Sequence, residues 1–259
     1  MDRIQRAFAQ KNAFITFLTA GDPSLEKTAE YILELERAGA DLVEIGIPFS
    51  DPIAEGPVIQ EADLRALGSG TTVDRIFEMV KTLRKKTQIP LVLMTYLNPV
   101  FHYGYEAFFE RCREAQIDGI IIPDLPFEEK GEVESVCLTY GVTLISMIAP
   151  TSRERIRRIA GEARGFLYVV SSMGVTGVRS EITTDLDAIL REIRSVTDVP
   201  AAVGFGIHTP DQAARIARQA DGVIVGSALV KLIARYGDHA HDQLGAYTRM
   251  MKAAMQEAE

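Results

Sequence analysis

Short apolar segments recur along the chain at intervals, and each is followed by a longer stretch in which apolar positions return every three or four residues. The first kind includes FITFLTA (Phe14 to Ala20), DLVEIG (Asp41 to Gly46), PLVLMTY (Pro90 to Tyr96) and DGIIIPD (Asp118 to Asp124). The second half continues it with GVTLISMIAP (Gly141 to Pro150), GFLYVVSS (Gly165 to Ser172), PAAVGFG (Pro200 to Gly206) and DGVIVGS (Asp221 to Ser227). Runs this short, apolar throughout rather than alternating, predict parallel strands buried on both faces. Between them, SLEKTAEYILELERAG, VDRIFEMVKTLRKKT, YEAFFERCREAQ and SRERIRRIAGEA show helical periodicity with charged outer positions. A helix end running into a strand recurs in AGADLVEI, AQIDGIII and QADGVIV, which marks a repeated unit. Eight such units predict a (β/α)8 TIM barrel. A doubly wound open sheet also needs buried parallel strands, but normally has fewer of them.

No Pro/Gly/Ser-rich linker divides the chain, so residues 1–259 are expected to form one TIM-barrel domain. Extra helical stretches, Met1 to Gln10 and His241 to Glu259, are assigned to the barrel's bottom and flank. Active residues are then sought on the loops that follow the strand C-termini.

Composition narrows the function classes. Of 259 residues, 47% are hydrophobic and 25% charged, enough for a large core, and the net charge of -8 disfavours binding along a nucleic-acid backbone. The longest apolar runs fall far short of a bilayer span. Cys112 and Cys137 form no CxxC pair and no signal peptide is evident, which points to a reducing, cytoplasmic location. His102, His208, His239 and His241 lie in unrelated segments, so no metal site is expected, and His208 is placed on a rim.

Candidate chemistry gathers at the strand ends. Glu44 lies near the end of the second strand with Val43 and Ile45 pointing the opposite way. A carboxylate buried at a barrel mouth is either hydrogen-bonded by backbone, Ser or Tyr groups, or has its pKa raised into the range of a neutral-pH acid/base. The following loop, IPFSDPIAEGPVIQ, has three prolines and two acids. Asp51 reads as a turn or cap residue, whereas Glu55 reads either as a solvated acid or as an acceptor for a substrate N–H. After the last three strands come SSMGVTG, GFGIHTP and VGSALVK. Their small residues, with a helix starting near Ser227, make a phosphate corner. Gly177, Gly206, Gly226 and Ser227 are the candidate contacts, and Thr176 and Ile207 the candidate lining.

With FLTAGDP, EIGIPFSDPIAEGPVIQ, MTYLNPVF, SSMGVTG, GFGI and GSALVK in this order, the sequence resembles the tryptophan synthase alpha subunit family over essentially its whole length. That resemblance implies a lyase that cleaves indole-3-glycerol phosphate to indole and glyceraldehyde 3-phosphate, a step in tryptophan biosynthesis. Glu44 would be the general acid/base, and Glu55 would hold the indole N–H. It also implies an indole pocket of Phe17, Leu93, Tyr96, Ile122, Leu125 and Tyr168, all of which could equally be barrel packing. Asp22 would help to position the second acid, or simply form a turn before Pro23. The chain departs from the commonest family pattern in having Glu55 where Asp is usual and Ser172 where Arg is common. No cofactor is implied in this chain. The implied partner is a beta subunit carrying pyridoxal phosphate (PLP) in an alpha2beta2 heterotetramer, facing the IPFSDP and LNPVFHYG loops. Three alternatives remain: a stand-alone lyase, a catalytically weakened phosphate-ligand-binding regulatory subunit, and a phosphosugar isomerase or epimerase.

Overall fold

The computed structural model describes residues 2–10, 12–171, 185–204 and 206–257. Among them nine parallel strands form one sheet: β1 (Ala13–Thr19), β2 (Leu42–Gly46), β3 (Leu91–Met94), β4 (Gly119–Ile121), β5 (Thr143–Leu144), β6 (Ser146–Ile148), β7 (Leu167–Val170), β8 (Ala201–Gly204) and β9 (Gly222–Val225). Their order is β5-β4-β3-β2-β1-β9-β8-β7-β6. The two edge strands are one segment interrupted at Ile145, whose N–H still reaches Ile120 O at 2.9 Å. Chain continuity through Ile145 therefore closes the sheet, and eight strand positions make a TIM barrel.

The described helices are α1 (Arg3–Ala7), α2 (Leu25–Arg37), α3 (Pro57–Gly68), α4 (Val73–Leu83), α5 (Leu97–Tyr103) and α6 (Tyr105–Glu114), followed by α7 (Gly131–Thr139), α8 (Arg153–Gly161), α9 (Leu186–Arg194), α10 (Pro210–Ala217), α11 (Ser227–Tyr236) and α12 (His241–Gln256). Half of them start where a side chain accepts from an otherwise orphaned N–H: Asp2, Ser24, Thr72, Ser152, Asp185 and Thr209 each receive one from three residues on.

Strand alternation sorts the core into two layers. Ile15, Leu42, Val92, Ile121, Tyr168, Ala202 and Ile224 pack inside the barrel, while Phe14, Val43, Leu93, Ile120, Val169 and Val203 pack between barrel and helices. The terminal helices lie where the sequence puts them. Ile4 of α1 joins the inner layer and plugs the bottom, and α12 lays Leu244, Met251 and Met255 into the outer layer beside α2 and α10. At the bottom, the buried Arg84 guanidinium and Arg3 both hold Asp118, tying three segments together.

Candidate active site

The parity that faces Leu42 inward also turns Glu44 and Gly46 inward, with Val43 and Ile45 facing the helices. Glu44 is fully buried, and neither carboxylate oxygen has a hydrogen-bond partner among the described residues. The bland expectation of a satisfied core glutamate is therefore not what this fold provides. Burial, and then the charge of Glu55, push the Glu44 pKa up to about 8. Glu44 enters neutral water chemistry as a protonated acid.

Above it opens a cleft enclosing about 630 Å³, part of it shared with solvent. Phe17, Met94 and Tyr168 form apolar walls, and Glu44 and Glu55 supply acids. Gly206, Ile207, Gly226 and Ser227 close the opposite end. Phe17 is wedged by glycines: a Cβ on Gly46 would come within 2.6 Å of its ring, and one on Gly226 within 3.2 Å. Tyr168 fits because Gly204 has no side chain, since a Cβ there would meet the phenol oxygen at 2.5 Å.

Glu55 is also buried, at 6% exposure. Its loop is held from both sides. The Tyr96 hydroxyl accepts the Ala54 N–H at 2.9 Å, and the Gln60 side chain donates to Glu55 O at 2.7 Å. Pro57 at the first position of α3 then starts the helix. Asp22 bears on this loop through α3. It accepts two hydrogen bonds from Arg65 of α3, at 2.9 and 2.8 Å, and so anchors the helix that the Glu55 loop feeds.

At the far end, α11 begins at Ser227 behind Gly226, which gives no side-chain cap. Its first N–H groups are thus open to an anion, with the positive end of the helix behind them. The neighbouring loop is fixed by Gln212, whose side chain accepts from His208 N and Thr209 N, and by Tyr247, which donates to His208 O. His208 itself turns to Gly206 O at 2.8 Å, on the loop's rim.

Four sequence assignments need correction. Leu93 and Ile122 fall on the outward-facing side of their segments' alternation and pack in the helix-facing layer, so neither lines this cleft. The inward neighbours Met94 and Pro123 do. Leu125, together with Ile122, lines an adjoining pocket that shares Ala54, Pro123 and Met147 with the cleft. Tyr96 acts through its hydroxyl on the loop rather than as a wall. Thr176, Gly177 and Ser172 lie outside the described residues. Asp51 is exposed and pairs with the adjacent Ser50 hydroxyl. Sequence reasoning missed α3 as a helix, and with it Ile59 in the cleft wall and the buried acid Asp63. The signal was present in the spacing of Ile59, Ala62, Asp63 and Ala66 behind Gly56-Pro57. Among the described residues no group of three His, Cys, Asp or Glu is arranged for a metal ion.

Comparison with known proteins bears directly on this cleft. A family model described as tryptophan synthase alpha chain matches residues 5–258. The chain belongs to the tryptophan synthase alpha chain family. A tryptophan synthase alpha chain of Lactiplantibacillus plantarum is 52% identical over 256 residues, covering 98% of this chain and 97% of that one. One from Lacticaseibacillus casei is 47% identical over 98% of this chain and 96% of its own. Among solved structures, the alpha chain of Legionella pneumophila superposes with a TM-score of 0.89 at 38% identity, covering 99% of this chain and 98% of that chain. A structure described as the tryptophan synthase a2b2 complex of Pyrococcus furiosus gives 0.87 at 35% identity, covering 93% of this chain and 98% of that one. The family's barrel and this barrel are the same fold.

Proposed function

We propose that this chain is the lyase of a tryptophan synthase, cleaving indole-3-glycerol phosphate to indole and glyceraldehyde 3-phosphate in tryptophan biosynthesis. The observation that carries the reading is Glu44, a fully buried carboxyl without a hydrogen-bond partner among the described residues, at the floor of a cleft with an apolar wall on one side and an open helix N-terminus on the other. A flat indole suits Phe17 and Tyr168, and the phosphate suits Gly206, Gly226 and Ser227.

Carbon is a poor leaving group until the ring is protonated. Glu44, protonated at neutral pH, delivers its proton to the indole ring carbon that bears the side chain, giving an indolenine cation. Glu55 accepts the ring N–H and stabilises that positive charge. The Glu44 carboxylate then takes the proton of the adjacent glycerol hydroxyl. The oxygen's electrons form the aldehyde carbonyl, the carbon–carbon bond breaks, and its electron pair restores the indole. Glu44 ends as it began, which a pKa near 8 permits in both directions.

The chain is read as one domain acting in the cytoplasm, with a beta subunit in an alpha2beta2 assembly. PLP belongs to that partner and none to this chain. Ile53 on the loop after β2 and Phe101 on α5, both well exposed, fit the partner-facing role of the IPFSDP and LNPVFHYG segments, the second of which is helical rather than a loop. The test is indole release from indole-3-glycerol phosphate by the purified chain, alone and with a beta subunit. Slow release that rises at least about tenfold with the partner is expected. Equal release in both conditions would favour a stand-alone lyase, and none in either would remove the proposed reaction.

A further inference from the structure

Tyr247 stands on α12, which contributes none of the described residues that line the cleft. Its hydroxyl nevertheless donates to His208 O at 2.9 Å, on the loop after β8. Burial pushes the phenol pKa up, so it stays a donor over the whole neutral range. From His208 the bonds continue into the loop. Its ring Nδ1 donates to Gly206 O at 2.8 Å, and its N–H donates to the Gln212 side chain at 2.9 Å. Gly206 has a φ of +82°, in the left-handed region, so the chain turns sharply there before Ile207. The turn that places Gly206 and Ile207 in the cleft wall is thus held by one bond from within the loop, one from α10 and one from α12.

The helix that carries Tyr247 is itself fixed against α2. Gly245 lets the buried Glu34 carboxylate come close, since a Cβ there would fall 1.8 Å from Glu34 Oε1, and Arg249 donates to the same oxygen at 3.4 Å. Further along, Lys252 pairs with Asp41, just ahead of β2, at 2.6 Å and donates to Asn12 O, just ahead of β1, at 3.0 Å. Gly245 and Arg249 flank Tyr247 by two positions on either side, roughly 200° around the helix. The face that grips α2 therefore leaves the phenol to the β8 loop. We propose that Tyr247 is a positioning residue for the phosphate end of the substrate: through His208 O it holds the Gly206 turn in place opposite the start of α11. The proposal rests on the reading of Gly206, Gly226 and Ser227 as phosphate contacts. The bonds named here run to neither Glu44 nor Glu55, so the effect falls on binding rather than on proton transfer.

The test is Tyr247→Phe, which removes the hydroxyl and keeps the ring that packs against the core. KM for indole-3-glycerol phosphate is expected to rise about three- to tenfold with kcat within about twofold of wild type, the size and pattern of one lost hydrogen bond that serves binding alone. Equilibrium binding then separates the two ends of the substrate. The Kd for glyceraldehyde 3-phosphate is expected to rise by the same factor, and that for indole to stay within about twofold of wild type. Equal affinity of the two proteins for glyceraldehyde 3-phosphate would overturn the proposal. So would an equal loss of affinity for indole, which would reduce Tyr247 to packing. Wild type that binds glyceraldehyde 3-phosphate but cleaves no indole-3-glycerol phosphate refutes the reaction, and the binding comparison then still decides on Tyr247. Wild type that binds no glyceraldehyde 3-phosphate overturns the phosphate contacts and the role of Tyr247 together.

Discussion

A carboxyl with no partner inside a barrel is destabilising as soon as it ionises, and Glu44 shows what the fold tolerates to keep an acid at its mouth. Its folded-state pKa, about 8, lies above the unfolded value of 4.5, so its contribution to stability is fully present below about pH 4.5 and is lost as pH rises towards 8. Glu44→Gln is therefore expected to raise stability at pH 7 by on the order of 3 kcal/mol at most, a gain that vanishes near pH 4. Thermal unfolding of the two proteins across that range checks it, and equal stability at pH 7 would mean that Glu44 is solvated or paired. The sequence made Glu44 legible because Val43 and Ile45 flank it in a strand whose parity is easy to follow. The same parity turns Leu93 and Ile122 towards the helices, and the wall comes from Met94 instead. Single residues are readable only when the face they occupy is tracked along the strand.

Elements were legible in proportion to how much core they bury. Eight strand segments stand out because both faces are apolar, and the ninth strand arises only because the fifth segment breaks its pairing at Ile145. Helix α3 was harder to see, since it follows a proline-rich loop and carries a buried acid on its inner face. The loop between β2 and α3 is nevertheless fixed by identifiable bonds. Tyr96→Phe removes the acceptor of the Ala54 N–H and frees the Glu55 segment, so kcat/KM is expected to fall by about ten- to a hundredfold while unfolding temperature changes little. Steady-state kinetics beside a melting curve tests this, and unchanged kcat/KM would show that the bond does not position Glu55. Gly226→Ala presses a methyl on the Phe17 ring, already at 3.2 Å, at the start of α11. A raised KM with kcat less affected is expected, and equal parameters would mean that Phe17 yields without narrowing the cleft.

On the scale of the molecule, the barrel separates two tasks. Its bottom is a plug of Ile4 and a charged tie of Arg3 and Arg84 on Asp118, and its top holds the acids, the apolar walls and the open end of α11. Stability and chemistry are thus drawn from opposite ends of the same strands. The barrel was legible because its repeat is a matter of pattern. The buried acid Asp63 was not, because it depends on a helix packing beside β1. The most direct test of the account is the cleavage of indole-3-glycerol phosphate by wild type and Glu44→Gln from pH 6 to 10, with substrate binding measured in parallel. Wild type is predicted to lose kcat above about pH 8, and Glu44→Gln to bind substrate as wild type does while cleaving it at least about a hundredfold more slowly at neutral pH. Cleavage by Glu44→Gln within tenfold of wild type at pH 7 would contradict the central claim that the buried glutamate moves the protons.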